Sequence, residues 1–138
     1  MLTGLWTIGI KVPDLERELE FHRQIGNEIV LDETLEIDGE FFRVPLVKMG
    51  DKYLHLAEKM VYEDWLGKTL PYGMTHLVYM SSSLDEDVDK ALAGGAEMMR
   101  DIAEVSAGFG ERRVAFMISP SGWIVEFIEI KKNLVPEV

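Results

Sequence analysis

The feature that most constrains this chain is that it is written twice. Shifted by 69 positions, Thr7 falls on His76, Leu15 on Leu84, Leu19 on Val88 and Gly26 on Gly95. Shifted by 71 positions, Gly39-Glu40 falls on Gly110-Glu111 and His55 on Glu126. The change of two is an ordinary difference in loop length. Identities are few, so the repeat lies in the order of elements. The repeat is longer than those of solenoids.

Each half reads as a strand, a helix and three more strands. The first half opens with a strand over 6–12. Its helix starts after Pro13 with Asp14 as N-cap, puts Leu15 and Leu19 on one face and stops at Gly26. Strand-like stretches follow over 28–33, 41–49 and 53–58. The second half opens with a strand over 75–80. Its helix begins at Ser83-Leu84-Asp85-Glu86, a capping-box spacing, turns Leu84, Val88, Ala91 and Leu92 inward and ends at Gly94-Gly95. Strands over 97–104, 113–119 and 123–130 complete it. Turns at 49–52 and 119–122 precede the last strand of each half. The expected fold class is α+β: two tandem βαβββ modules, 3–58 and 74–131, joined by a linker at 59–73, within a single domain spanning 1–138. Each helix covers one face of its sheet. Side by side, the two sheets would form a cup-shaped, mostly antiparallel sheet lined by alternate residues.

Strand alternation sorts what faces the cup. In the last strands, Val125 and Phe127 oppose Ile124, Glu126 and Ile128, and Leu54 and Leu56 oppose Tyr53 and His55. In the first strands, Ile8 and Ile10 oppose Thr7 and Gly9, and Leu77 and Tyr79 oppose His76 and Val78. Thr7, His55, His76 and Glu126 therefore lie on the faces away from the helices, one from each of four strands. Imidazoles and a carboxylate on such faces are costly to bury without a partner. Two His nitrogens and one carboxylate oxygen make a facial triad with open positions. That set suits Fe(II) first, with Zn, Mn, Ni or Co also accommodated. The expected metal ligands are His55, His76 and Glu126. Thr7 is too weak a ligand and would hold a metal-bound water or a substrate oxygen. Plainer readings stand beside these: His76 bonded to a backbone carbonyl, and Glu126 paired with a Lys or Arg.

Other residues carry weaker signals. His22 sits near Leu15 and Leu19 on the first helix and reads as core or helix rim. Tyr53 and Trp123 are candidates to line a substrate pocket. Arg112 and Arg113 open a strand. Arg113 is a candidate for a substrate carboxylate, with a surface ion pair as the plain reading. The glycine-rich run 106–110 lacks a P-loop lysine and reads as a flap over the cup. A net charge of −11 argues against a nucleic-acid partner. No apolar run approaches the ~20 residues that span a bilayer, and no basic secretory start precedes residue 4. With no cysteine, thiolate ligands and disulfides are excluded. Cytoplasmic residence is the default expectation.

The runs Ile8-Gly9-Ile10-Lys11-Val12-Pro13-Asp14-Leu15-Glu16, Gly73-Met74-Thr75-His76-Leu77 and Ala115 to Glu126 resemble the vicinal oxygen chelate superfamily. That group includes glyoxalase I, methylmalonyl-CoA epimerase, extradiol dioxygenases and bleomycin-binding proteins. The resemblance covers nearly the whole chain. It implies that His76 and Glu126 match the first-strand and last-strand ligands of the second module. His55 takes a last-strand position where glyoxalase and epimerase members usually carry Glu or Gln, and Thr7 one where most metal-binding members carry His. It implies a metal-dependent enzyme, oxidoreductase or lyase, that chelates a small-molecule substrate through vicinal oxygens. Catalytic roles would fall to His55 and Glu126, with substrate contacts from Thr7, Tyr53, Trp123 and Arg113. The ligand count leans to a dioxygenase. The alternatives are an isomerase, epimerase or lyase of the same fold, or a metal-free binding protein like those of bleomycin resistance. A homodimer is also implied.

Overall fold

The computed structural model describes residues 1–138. They cluster into two compact units, one made of residues 7–75 and 135–138, the other of residues 1–6 and 76–134.

The first unit takes Thr7 to Lys11 of β1 (Leu2–Lys11), then α1 (Leu15–Gln24), β2 (Glu28–Leu31), β3 (Thr34–Ile37), β4 (Glu40–Arg43), β5 (Leu46–Met49), β6 (Lys52–Ala57) and α2 (Tyr62–Leu66). The α1 start is capped as expected, with Asp14 accepting from the Arg17 N–H. Here β1 pairs parallel with β6, while β5 pairs antiparallel with both β6 and β2. The core is Val12, Leu15, Leu19, Val47, Leu54 and Leu56, with Ile8 and Ile10 against it.

One expectation changes in this unit, and one element is added. The stretch 41–49 is not one strand. Pro45 lacks an N–H for a ladder, so β4 ends at Arg43 and β5 begins at Leu46. Freed from that sheet, β4 pairs with β3 as a separate hairpin. Its turn, Asp38-Gly39, has positive φ at both residues, 53° and 81°, as a type I′ turn requires. The linker carries a short helix, α2, closed by Gly67 in the left-handed region. A buried ion pair anchors it: Lys11 Nζ lies 2.6 Å from Glu63 Oε1. Glu63 also accepts the Met60 and Leu70 N–H groups, and Lys11 donates to the Leu70 carbonyl.

The second unit holds most of β7 (Gly73–Ser81), then α3 (Leu84–Ala93), β8 (Glu97–Met98), β9 (Ala103–Ala107), β10 (Gly110–Ile118) and β11 (Ile124–Asn133). Here β7 pairs parallel with β11, and β10 pairs antiparallel with β11, β9 and β8. The expected strand 97–104 is thus two strands. The core is Leu84, Val88, Ala115, Met117 and Phe127. Ser83 makes no side-chain cap bond. Instead Ser81 Oγ accepts the Ser83 N–H and donates to Asp87 at 2.5 Å.

The run 106–110 closes the β9–β10 hairpin, with Gly108 and Phe109 as its turn. Arg112, 2% exposed, donates to the carbonyls of Phe109, Glu111 and Lys132 and to Asn133 Oδ1. Its guanidinium lies about 5 Å from the rings of Trp6 and Phe109. At Gly110 a Cβ would sit 2.0 Å from the Lys132 carbonyl oxygen, at φ +113°.

The repeat reappears in the strand registers. In the first unit Thr7 lies beside Tyr53 and Gly9 beside His55. In the second His76 lies beside Ile124 and Val78 beside Glu126. These are the same pairs at shifts of 69 and 71. Both parallel pairs therefore carry their polar residues on the face away from the helix.

Candidate functional site

In the second unit, β7 and β11 set His76 and Glu126 on one face, two register steps apart. Val78 stands beside Glu126 on β7, and Phe116 opposes it on β10. The Phe116 ring centre is 6.2 Å from that of His76. Both polar residues are buried, at 6% and 9% exposure. His76 Nε2 is 3.7 Å from Glu126 Oε1. No Lys or Arg pairs with Glu126, and burial pushes its carboxyl up to about 8. At neutral pH the carboxyl is therefore held protonated.

In the first unit, β1 and β6 present Thr7, Gly9, Tyr53 and His55 on the corresponding face. Thr7 is 1% exposed, and its buried Oγ1 has no hydrogen-bond partner. Burial pulls the His55 imidazole down to about 4, so it is neutral at pH 7, the form that accepts a proton or a metal. Gly9 beside it offers no side chain. Leu46 on β5 opposes His55, as Phe116 opposes Glu126.

The remaining candidates have other partners or positions. Tyr53 is fully buried and its hydroxyl donates to the Pro136 carbonyl at 2.6 Å. Trp123 is in the turn before β11, not in the strand, and is 70% exposed. Arg113 pairs with Asp85 and Glu129 at 3.0 and 3.4 Å, which is the plain reading of that residue. His22 is a buried helix residue, with Nδ1 3.0 Å from Asn27 Nδ2. Phe116 and Leu46 were missed. The register that sets them opposite the polar residues follows from how β10 and β5 pair, which alternation alone does not give.

Donor type and spacing in the second unit fit a divalent ion. Imidazole and carboxylate are both ligands of such ions, and two atoms 3.7 Å apart can each reach one ion at about 2.1 Å. The count is short: no group of three or more His, Cys, Asp or Glu side chains is gathered to hold a metal.

No family model and no curated protein matches the chain. Solved structures do. Methylmalonyl-CoA epimerase of Streptomyces coelicolor, in complex with 2-nitronate-propionyl-CoA, is 25% identical with a TM-score of 0.74, covering 96% of this chain and all of that one. Methylmalonyl-CoA epimerase of Mycobacterium tuberculosis is 23% identical with a TM-score of 0.71, covering 95% of this chain and 90% of that one. The fold is thus that of the vicinal oxygen chelate superfamily, as the sequence resemblance implied. The neighbours are enzymes, which supports an enzyme here. They favour the epimerase alternative over the dioxygenase. No helix is long and apolar enough to cross a membrane.

Proposed function

We propose that this chain, with its vicinal oxygen chelate fold, is an epimerase-type enzyme of the cytoplasm. It would move a proton at a carbon beside a carbonyl in a small acyl substrate. A thioester such as the methylmalonyl-CoA of its structural neighbours is the first candidate. The observation that carries this reading is the buried His76–Glu126 pair, whose carboxyl is held protonated for want of a cation. An ionised Glu126 and a neutral His76 would together hold a divalent ion, Fe(II) or one of Zn, Mn, Ni and Co. Such an ion supplies Lewis-acid polarisation of substrate oxygens. Phe116, Val78 and Ile124 keep water from the pair on their own face. In the first unit His55 is held neutral at working pH, burial having pulled its imidazole down to about 4, which makes it a weak base better suited to hold a substrate oxygen or a metal than to keep a proton. The homodimer belongs to the same proposal, and a monomer at micromolar concentration in sedimentation would contradict it.

The test is interconversion of single methylmalonyl-CoA epimers, followed by circular dichroism with and without added divalent ions. Glu126→Gln and His76→Gln should each lower the rate at least about a hundredfold, and His55→Gln should lower it too. Inactive wild-type protein, or full activity of Glu126→Gln, would overturn the reading. A second reading, metal-free binding, is supported by Thr7 at a donor position and by the missing third donor. It predicts ligand binding with no response to metal and no turnover.

A further inference from the structure

A groove of about 510 Å³ lies in the first unit, and none of the candidate site residues lines it. Its size is that of a small-molecule site. It is lined by Lys11, Glu58, Lys59, Glu63, Asp64, Lys68 and Tyr72, with Gly67 and Thr69. The lining mixes both signs, so the bonds already made decide what it can take. Glu63 accepts from Lys11, Met60 N–H and Leu70 N–H. Asp64 is held by Lys59, and Glu58 accepts the Leu15 N–H. The carboxylates are therefore largely committed. The donors are not. An ammonium has three N–H groups. Lys11 gives one to Glu63 and one to the Leu70 carbonyl, which leaves a third. Lys68 makes no ion pair and is exposed. Beside them the Tyr72 ring is 63% exposed, with the Lys11 ammonium 5.2 Å from its centre.

We propose that this groove binds a small planar organic anion, a carboxylate carried on a ring. The Lys68 ammonium and the third Lys11 donor take the carboxylate. Tyr72 takes the ring, stacked on an aromatic face whose anchoring cation also attracts the anion. The buried Lys11–Glu63 pair fixes the floor, so little order has to be gained on binding. The site is independent of the reading of Glu126.

The experiment titrates benzoate into the full chain and follows backbone amide shifts. Saturable shifts should centre on residues 67–72. Lys68→Ala and Tyr72→Ala, both surface changes that leave the fold intact by circular dichroism, should each weaken binding about fivefold. Glu126→Gln should bind benzoate as wild type does. Inorganic phosphate, charge without ring, and benzyl alcohol, ring without charge, should each bind at least about tenfold more weakly. Absence of saturation, shifts centred elsewhere, or unchanged binding by both variants would overturn the site. Phosphate binding as tightly as benzoate would overturn the role of Tyr72.

Discussion

Glu126→Gln should make this protein more stable at alkaline pH. The Glu126 carboxyl is moved from 4.5 to about 8 by burial. Below pH 4.5 it is protonated in the folded and unfolded chain alike and contributes nothing to pH dependence. Between 4.5 and 8 the unfolded chain ionises and the folded chain does not, so stability falls as pH rises. Above about 8 both states ionise and the loss levels off. At 1.36 kcal/mol per decade, the total is about 5 kcal/mol. His55 acts at the other end. Its imidazole, moved from 6.5 to about 4, lets the unfolded chain alone protonate as pH falls through that window, at a loss of about 3 kcal/mol. Comparing wild type with Glu126→Gln cancels the His55 part, because glutamine is neutral throughout and close in shape to the protonated acid. Urea unfolding in the presence of a chelator measures it. The stability gap should open in favour of the variant by about 4 kcal/mol between pH 5 and pH 8.5. Adding a divalent ion at pH 8.5 should then raise wild type and leave the variant unchanged. A gap constant to within about 1 kcal/mol across that range would refute the account of Glu126 as a carboxyl buried without a cation.

Three further outcomes follow from packing. Lys11→Met leaves the Glu63 carboxylate buried without its cation, and urea unfolding at pH 7 should show a loss of about 3–5 kcal/mol. Gly110→Ala drives a Cβ into the Lys132 carbonyl and should lose at least about 2 kcal/mol, while Gly67→Ala, with open space around it at φ +67°, should lose about 1 kcal/mol in the same assay. Tyr53→Phe removes the bond to the Pro136 carbonyl and should lower stability by about 1 kcal/mol, read as a lower melting temperature.

The repeat was the most legible part of the sequence. Leu15, Leu19, Leu84 and Val88 at helical spacing, opposite alternating strands, place α1 and α3 on their sheets, and the shifts of 69 and 71 reappear as matched registers in β1–β6 and β7–β11. Local chemistry was legible where one residue decides it, as at the Asp14 cap. The β3–β4 hairpin was less so, because Pro45 interrupts what alternation reads as one strand. The linker helix α2 depends on the Lys11–Glu63 pair, 52 positions apart, which no local pattern announces. In the candidate site, the faces of Thr7, His55, His76 and Glu126 follow from alternation alone. The 3.7 Å approach of His76 to Glu126, and the placing of Phe116 beside them, depend on strand pairing. For Arg113 the plain reading as an ion-paired residue was legible but its partners were not, since Asp85 and Glu129 come from α3 and β11.

The most direct measurement of the central claim is exchange of the methylmalonyl-CoA α-proton in D₂O, followed by proton NMR with a divalent ion present. Wild-type protein should exchange it catalytically, and Glu126→Gln should exchange it at least about a hundredfold more slowly while staying folded. No exchange by wild type, or equal exchange by the two, would contradict a functional centre at His76 and Glu126.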